Sequence, residues 1–444
     1  MKIVIAGAGE TGAHLASILS QEHQDITLID ANKARLIQLK NSLNIGIVEG
    51  EAISIKSLKE SGIEKADLFI AVTPSESKNM TACMLSSKLG AKKTLARVDR
   101  SEYLLPEHKD FFEQLGIHSL IYPEMLAANG IINALRATWL REYMEFENGA
   151  MVLGGIKVRK NAEIINKPFS SGYFAHPRYR VVAIKRQNQT IIPKGNDQIE
   201  ANDLVYFITS QENLDFVREQ AGKDTYQVKN AMIVGGSRIA ICASQQIPDQ
   251  LHVKLIEINK EKSQQLGDKL NNVLVINGDG RDTDFLREED IEEMDAFVAL
   301  TDNSEANILA CSVAKRLGIN KTIAEVENID YIPLAENLDI GAILNKKLLT
   351  ASYIYQLTLS SNISTAKCLT NVDAVVMEFI VNKNSPVTKR SVKDLQLPDN
   401  VNIGALIRNG GGITVNGDTH IAAGDHVIVF CMADSVRKLD HFFS

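Results

Sequence analysis

Short apolar runs alternate with longer amphipathic segments along the first 125 residues of the chain. The short runs have the length of buried strands, and the segments between them have the spacing of helices that cover a sheet. This alternation predicts βαβ units and a parallel, doubly wound sheet. The predicted elements are strands at Lys2–Ala6, Ile26–Ile29, Leu68–Val72 and Thr94–Val98 and helices at Gly12–Gln21, Ala34–Leu43 and Asn79–Leu89.

The chain repeats itself. A spacing of 228 positions joins matching residues of the two halves, such as Thr73 with Thr301. Further along, a spacing of 222 positions joins Asp203 with Asp425, so a domain boundary lies between the two sets. An internal repeat of this kind indicates a duplicated pair of domains, one large and one small.

The small units have short strands separated by polar turns, which predicts compact α+β modules. The fold class is therefore α/β, with two doubly wound parallel-sheet Rossmann domains, each followed by a small α+β C-terminal domain. The predicted domains are 1–125, 126–228, 229–348 and 349–444, and the second and fourth begin with a linker helix. Predicted elements of the small units are strands at Val181–Lys185, Leu204–Ile208, Ala405–Arg408 and His426–Phe430 and a helix at Gln211–Gln220.

The segment Met125 to Phe146 carries apolar residues at helical spacing and predicts one helix. We favour a helix that faces the core of its own chain. The alternative is a crossover helix that packs against a second subunit. The residues that carry the pattern are Ile131, Ile132, Leu135, Trp139, Leu140 and Tyr143.

Composition excludes several classes of protein. The 444 residues carry a formal net charge of −7 with scattered Lys and Arg, so no cationic face for nucleic acid is expected. No apolar run reaches the length of a membrane span and no signal peptide is evident, so we expect a cytosolic protein. Five cysteines without a C-x-x-C pair predict neither a disulfide framework nor a zinc site.

A glycine-rich turn follows the first strand and opens the first helix. Its sequence is Gly7-Ala8-Gly9-Glu10-Thr11-Gly12, and Asp30 closes the next strand 18 residues after Gly12. In this context the pattern predicts a dinucleotide site. Gly7 permits the tight turn, Gly9 lets the backbone approach a pyrophosphate, and Gly12 lets helix and strand pack closely.

Asp30 is expected to accept hydrogen bonds from ribose hydroxyls. A carboxylate there favours NAD, NADH or an adenosine nucleotide such as ATP or ADP over NADP, whose 2′-phosphate it would repel. The alternative is a Rossmann domain that keeps its glycines only for packing.

The second copy of the turn departs from the first. It has Gly235 and Gly236, but Ser237 stands in place of Gly9 and Arg238 in place of Glu10, while Glu257 takes the place of Asp30. The serine side chain intrudes where backbone approaches phosphate, although Arg238 offers a new phosphate cation. Nucleotide binding at the second site therefore stays open.

Further candidates lie at the ends of later strands of each half. Glu51 and Asp279 offer loop carboxylates near an adenosine, and the hydroxyls of Thr73 and Thr301 can reach phosphate or ribose. An ordinary turn or cap role is the alternative for each. Arg97 ends the fifth strand, and its counterpart Glu325 reverses the charge, so the two sites are not expected to bind one ligand equally.

No set of catalytic residues is evident beside the predicted site. A dehydrogenase needs a proton donor and a substrate clamp near the nicotinamide. The small units offer only His176, His420 and His426, at unmatched positions, and a lone histidine is more often structural than catalytic. We therefore predict that the chain is not an enzyme.

These residues resemble one family closely, the two-copy peripheral NAD-binding subunit of bacterial Trk potassium-uptake systems. The resemblance rests on the Gly7 to Gly12 turn, Asp30, the run from Ala66 to Thr73 and Arg97, and it covers essentially the whole chain. By similarity, Gly7, Gly9, Glu10, Thr11, Asp30, Thr73, Pro74 and Arg97 contact the nucleotide.

The resemblance implies a nucleotide-sensing regulator. Such a protein docks on an integral-membrane potassium-translocating subunit at the inner face of the plasma membrane, forms a homotetramer, and adjusts potassium uptake in response to NAD(H) or adenine nucleotides. Two alternatives remain, an NAD-dependent oxidoreductase and a redox-sensing transcription factor. The absent catalytic set argues against the first, and the acidic charge argues against the second.

Overall fold

The computed structural model describes residues 1–21, 24–187, 189–224, 226–358, 363–369, 372, 374–432 and 435–443. In this part of the chain two six-stranded parallel sheets alternate with two five-stranded antiparallel sheets. The fold class is thereby confirmed. The described residues contain no helix long and apolar enough to cross a membrane.

The first parallel sheet has the strand that opens the chain near its middle. The strand order reverses between β1 and β4, and such a reversal opens a crevice at the carboxyl ends of the strands. Apolar side chains fill both faces because helices cover both. The strands are β1 (Lys2–Ala6), β2 (Asp25–Asp30), β3 (Gly46–Glu49), β4 (Leu68–Ala71), β5 (Lys93–Arg97) and β6 (Ser119–Ile121), in spatial order β3-β2-β1-β4-β5-β6.

Polar caps set the ends of the helices between these strands. Ser75 Oγ accepts the N–H of Lys78 and starts the fourth helix three residues before the predicted Asn79, and Gly90, with φ of 118°, ends it. The helices are α1 (Glu10–Gln21), α2 (Lys33–Ser42), α3 (Ile55–Glu60), α4 (Glu76–Leu89) and α5 (Lys109–Gln114).

The first small domain is built on an antiparallel sheet. Its strands are β7 (Glu142–Phe146), β8 (Met151–Lys157), β9 (Tyr179–Arg186), β10 (Gln189–Ile191) and β11 (Leu204–Thr209), in spatial order β10-β9-β11-β8-β7. The helix predicted at Gln211–Gln220 is a 3-10 turn at Gln211–Asn213 followed by α7 (Leu214–Gln220).

The second half repeats both sheets. Its parallel strands are β12 (Asn230–Val234), β13 (His252–Glu257), β14 (Leu274–Asn277), β15 (Ala296–Ala299), β16 (Lys321–Glu325) and β17 (Ala342–Leu344), ordered β14-β13-β12-β15-β16-β17. Its antiparallel strands are β18 (Ile363–Cys368), β19 (Ala374–Ile380), β20 (Val401–Arg408), β21 (Gly411–Thr414) and β22 (His426–Met432), ordered β18-β19-β22-β20-β21. The helices are α8 (Arg238–Ser244), α9 (Lys260–Lys269), α10 (Thr283–Glu288), α11 (Ser304–Arg316), α12 (Ile332–Asn337) and, at the end of the chain, α14 (Val436–Phe443).

The residues repeated at a spacing of 222 positions form the same ion pair in both small domains. Arg186 donates from Nε and Nη2 to the two carboxylate oxygens of Asp203, at 3.1 and 2.8 Å. Arg408 makes the same fork with Asp425, at 2.7 Å for both bonds. Both carboxylates are buried, so this repeat preserves a fold-stabilising contact.

The predicted helix from Met125 to Phe146 is wrong in its second half. The helix α6 (Pro123–Arg136) ends before Trp139, and the chain then enters β7, where Tyr143 pairs with Gly154 of β8. Trp139 stacks on Phe207 of the small-domain core. The apolar pattern continues past Arg136 because Trp139, Leu140 and Tyr143 pack in the core of the small domain, and their spacing happens to match that of a helix.

The apolar residues of α6 are buried inside the chain. Ile131, Ile132 and Leu135 expose at most 7% of their surface. The interpretation of a core-facing helix is therefore confirmed for these residues, and they are not available as an exposed face for a second subunit.

Contacts divide the chain into two compact units that do not follow the two halves. The first unit comprises residues 1–127 and 346–359, so the helix α13 (Lys346–Gln356) belongs with the first Rossmann domain, where it packs on α1. The second unit comprises residues 128–345 and 360–444. The domain boundaries at residues 125, 228 and 348 stay a prediction.

Candidate functional site

The glycine-rich turn of the first unit gives each of its three glycines a different environment. Gly7 adopts φ of 111°, and a Cβ there would lie 3.1 Å from the backbone nitrogen of Thr73. A Cβ on Gly12 would lie 1.9 Å from the carbonyl oxygen of Gly7. A Cβ on Gly9 would meet no atom within 4 Å.

The three environments distinguish two glycines that are needed for packing from one that lies next to open space. Gly7 and Gly12 are required by the protein itself, because a side chain at either position meets backbone atoms. The backbone at Gly9 instead borders open space at the start of α1, where unpaired N–H groups favour an anion. Of the three glycines, Gly9 is therefore the one with room for a side chain or a ligand atom beside it.

Asp30 lies directly against this turn. Its Oδ2 accepts the N–H of Ala8 at 2.6 Å, and its Oδ1 accepts the N–H of Asn32 at 2.7 Å. Each carboxylate oxygen keeps a second lone pair for a hydroxyl donor. The two backbone bonds fix the carboxylate at the end of β2, the position at which dinucleotide-binding Rossmann domains carry an acidic residue.

The first turn of α1 carries an ion pair with a residue that is distant in the sequence. Glu10 contacts the ammonium group of Lys347, which lies on α13 within the same unit, and Thr11 follows it half-buried. Burial lowers the pKa of Lys347. The ammonium group of Lys347 therefore lies beside the turn at residues 7–12. No local pattern in the sequence predicts this contact.

Arg97 does not point freely into the crevice. Its Nη2 lies 3.6 Å from Glu124 Oε1 and 3.9 Å from Asp99 Oδ1. Lys346 Nζ also lies 3.6 Å from Glu124 Oε1. The buried Glu124 thus holds two cations at the carboxyl end of β5, and neither Lys346 nor Glu124 was among the predicted site residues.

Asn79 and Asn307 build the same hydrogen-bond network in both halves. Asn79 Oδ1 accepts the N–H and the hydroxyl of Thr73 at 3.0 and 2.6 Å, while Nδ2 donates to the carbonyls of Thr73 and Arg97. Asn307 repeats these bonds with Thr301 and Glu325. The threonine hydroxyls predicted to face a ligand are therefore engaged in joining two strand ends.

We expect Asn79→Ala to lower the free energy of unfolding by about 2 kcal/mol, because it leaves buried backbone groups without partners. Urea denaturation of Asn79→Ala and Asn307→Ala checks this, with Asn272→Ala, at an exposed position without a left-handed backbone, as the control. Equal stability of the wild type and Asn79→Ala would contradict the structural role.

The remaining candidates of the first half lie in exposed positions. Glu51 Oε2 pairs with Lys78 Nζ at 2.9 Å, and Pro74 is exposed beside the strand end. In the second half Asp279 is held by a two-bond fork from Arg281, which lowers the pKa of Asp279. Both carboxylates have a partner from their own chain.

At the second glycine turn, side chains of the protein cap the helix and leave no room beside Gly236. Gly235 keeps the left-handed backbone of Gly7, with φ of 97°, but Ser237 Oγ accepts the N–H of Ala240 and caps α8. A Cβ on Gly236 would lie 2.4 Å from Leu266. The helix donor that an anion could use is therefore already paired within the chain.

Glu257 occupies the place of Asp30 but is more enclosed. Its Oε2 accepts the N–H of Gly236 at 3.0 Å and pairs with Lys262 Nζ at 3.0 Å. Burial alone would raise the pKa of Glu257, but the bonds from Asn259, Lys262 and Gly236 lower it overall. Arg238 is exposed on the first turn of α8, and Glu325 is buried at the end of β16.

We expect Ser237→Gly to raise nucleotide affinity at the second turn about tenfold, equivalent to about 1.4 kcal/mol, by freeing the Ala240 N–H. Calorimetric titration in a Gly9→Val background isolates this site, and Ser237→Thr, which keeps the cap, is the matched control. No difference between the glycine and threonine variants would show that the cap is irrelevant.

The three histidines of the small domains contact neighbouring residues, and the described cysteines form no disulfide. His176 packs against Tyr179, His420 Nδ1 lies near the carbonyl of Asp418, and His426 Nδ1 lies 2.9 Å from Glu378 Oε1. The four cysteines whose side chains are described, Cys83, Cys242, Cys311 and Cys431, are buried and free of disulfides.

Comparison with known families matches both kinds of domain twice. The TrkA-N domain matches residues 3–123 and 231–346, and the TrkA-C domain matches residues 153–222 and 376–444. These ranges alternate along the chain as the two kinds of sheet do.

Relatives match this chain over nearly its whole length and theirs. The Trk system potassium uptake protein TrkA of Haemophilus influenzae is 31% identical, over 97% of this chain and 95% of its own. That of Halomonas elongata is 31% identical, over 100% of this chain and 98% of its own.

Two solved structures share the fold at low sequence identity. The GsuK RCK domain has a TM-score of 0.60 at 14% identity, covering 100% of this chain and 94% of its own. The GsuK channel bound to NAD has a TM-score of 0.59 at 14% identity, covering 100% and 78%.

Proposed function

The chain belongs to the family of Trk system potassium uptake proteins TrkA, and we propose that it is the nucleotide-sensing regulatory subunit of a potassium-uptake system. In this proposal NAD(H) or an adenine nucleotide binds the first Rossmann domain and gates uptake by an integral-membrane potassium-translocating subunit. The protein would work in the cytoplasm, at the inner face of the plasma membrane.

The observation that carries the proposal is the turn at residues 7–12. Open space at Gly9, the start of α1 and the fixed Asp30 carboxylate supply the three elements of dinucleotide recognition. The GsuK channel bound to NAD shares the fold of this chain.

A bound phosphate would compete with Glu10 for the same cation. The Glu10–Lys347 pair joins the turn to α13, and Glu10 directly follows Gly9 in the chain. A nucleotide phosphate would attract Lys347 and repel Glu10, so binding would change the contact between α1 and α13. A ligand regulates only through such a difference in affinity between two states.

We propose no catalytic step at this site. The ionisable groups at the strand ends, Asp30, Glu51 and Arg97, are each bound by groups of the chain itself, which suits a binding role better than proton transfer. Steady oxidation of NADH that depends on an added carbonyl compound, and is lost in a Gly9 variant, would favour the oxidoreductase alternative.

Self-assembly is part of the proposal. Exposed apolar side chains recur at comparable places in the two Rossmann domains, with Leu104, Leu105, Phe111 and Leu115 in the first and Ile329, Leu334 and Leu338 in the second. Such patches are typical of protein contacts. They support self-association, and we propose that the assembly is a homotetramer, whose size light scattering of the purified chain would measure.

Calorimetric titration of the full chain with NAD, NADH, ATP, ADP and NADPH tests the proposed ligand. We expect NADH to bind at least about tenfold more tightly than NADPH, a difference of about 1.4 kcal/mol, because the Asp30 carboxylate repels a 2′-phosphate. Asp30→Asn should reduce this preference. Failure of every nucleotide to bind would overturn the proposal.

A further inference from the structure

The second compact unit contains a cavity of about 530 Å³ between the first small domain and the second Rossmann domain. Its charged lining is mainly basic, with six cationic side chains against two carboxylates, an excess of four positive charges when all are ionised. The residues are Arg141, Lys157, Arg159, Lys223, Lys315 and Lys321, with Asp224 and Asp339.

The carboxylate of Asp339 forms ion pairs with three of these cations. Asp339 contacts Arg141 and lies 3.0 Å from Lys157 Nζ and 2.9 Å from Lys315 Nζ. Burial alone would raise the pKa of Asp339, but these cations hold it well below its ordinary range. A single negative charge cannot neutralise three positive ones, so the surplus faces the cavity.

Lys321 adds a buried cation that is held without a counter-charge. Its Nζ donates to the carbonyls of Thr138 and Leu140 at 3.2 and 2.8 Å, and no carboxylate of the described residues lies within ion-pair distance. Burial, together with the charges of Arg141 and Lys223, lowers the pKa of Lys321 to about 7. Burying an unpaired charge is unfavourable unless a ligand supplies the missing anion.

Lys223 faces the same space from the small domain. No acceptor for its Nζ is present among the described residues, and burial with the charges of Arg159 and Arg141 lowers the pKa of Lys223 to about 8. The wall also holds Tyr226, whose buried hydroxyl has no hydrogen-bond partner in the part of the chain that the structure describes. Lys223 and Lys321 thus present ammonium groups to the cavity from the two domains that border it.

We propose that this cavity binds an anion with two or more phosphate groups. The cationic excess matches such a ligand, and a volume of this size admits a nucleotide or an inorganic polyphosphate. The inference goes beyond the proposed nucleotide site, since none of the cavity residues belongs to either glycine turn. A bound polyanion would bridge the small domain and the Rossmann domain of this unit.

The chain contains its own probe of the cavity. Trp139, the single tryptophan of the sequence, lies in the wall and stacks on Phe207. Tryptophan emission of the full chain can therefore be titrated with tripolyphosphate and, separately, with ATP. The titrations are repeated in Gly9→Val, and chloride at matched ionic strength shows the effect of salt alone.

We expect a saturable change in emission with both phosphates and none with chloride. Equal affinity for ATP and tripolyphosphate would assign recognition to the phosphate chain, and tighter binding of ATP would add a contact with the nucleoside. Both results support the site. No change in emission at millimolar tripolyphosphate would overturn it.

Variants at the rim localise the binding without disturbing the buried lysine. Arg159→Gln combined with Lys223→Gln is expected to weaken tripolyphosphate at least about tenfold. Lys160→Gln, an exposed neighbour that does not line the cavity, is the matched control. Equal affinity of the double variant and the control would contradict the proposal.

The sign of the pH dependence gives an independent readout. Burial first, and then the facing cations, lower the pKa values of both lysines. Lys321 faces Arg141 and Lys223, whereas Lys223 faces Arg159, Arg141 and Lys157, with Asp339 opposing the shift, so both ammonium groups lose protons between about pH 7 and 8. A bound anion favours their charged forms, so binding takes up protons and affinity falls as pH rises from about 7 to 9. Affinity that rises over this range would contradict the site.

Discussion

Replacing Gly9 with valine is expected to weaken NADH binding at least about 100-fold, or about 2.7 kcal/mol, in a protein that still folds. A Cβ at this position meets no atom of the chain within 4 Å, so the valine side chain would occupy the space in front of the helix start. The free energy of unfolding should change by no more than about 1 kcal/mol, the cost of a poor helix cap. Calorimetry measures the first quantity and urea denaturation the second.

Gly172→Val is the matched control for this variant, because a Cβ on Gly172 also meets nothing within 4 Å. It should bind NADH as the wild type does. Unchanged NADH affinity in a folded Gly9→Val protein would remove the turn from the binding site.

Gly12→Ala is expected to lower the free energy of unfolding by at least about 3 kcal/mol. Its added Cβ would lie 1.9 Å from the carbonyl oxygen of Gly7, so α1 must move away from the turn. Helix propensity alone predicts the opposite sign, a gain of about 1 kcal/mol. Urea denaturation therefore decides between the two effects.

Ala240→Gly tests the matching position of the second turn, where the chain already accepts a Cβ. This variant should lose about 1 kcal/mol through helix propensity alone. If Gly12→Ala proves as stable as the wild type, the close approach of α1 to Gly7 is not a constraint on the fold.

Local patterns in the sequence predict the parallel sheets well, because buried strands and covering helices leave separate periodicities. The run Leu68–Ala71 is wholly buried, as a strand covered on both faces must be. The same reasoning fails between Ile131 and Tyr143, where a helix and a strand bury apolar residues in succession. Periodicity alone does not distinguish one long helix from this arrangement.

The site is predictable where it depends on backbone conformation and less so where it depends on distant side chains. Gly7 and Gly12 are fixed by steric contacts that their spacing already implies. Arg97 was expected at the ligand, but it faces the buried Glu124, and Lys347 reaches Glu10 across 337 positions of sequence. The spacing of residues along the sequence does not predict such long-range ion pairs.

In the sequence, the serine side chain at position 237 leaves nucleotide binding at the second turn open. The structure adds that Ser237 Oγ accepts the Ala240 N–H at the start of α8. Whether a nucleotide displaces that bond stays a prediction for the Ser237→Gly variant.

Potassium uptake measured in cells of the source organism that lack this gene tests the central proposal most directly. The gene is restored as wild type, as Gly9→Val or as Gly172→Val, and uptake is followed while the cellular ratio of NADH to NAD is changed. We predict that wild type and Gly172→Val restore uptake that responds to this ratio, and that Gly9→Val gives uptake that does not respond. Uptake that is unaffected by loss of the gene, or equally responsive with Gly9→Val, would contradict the account.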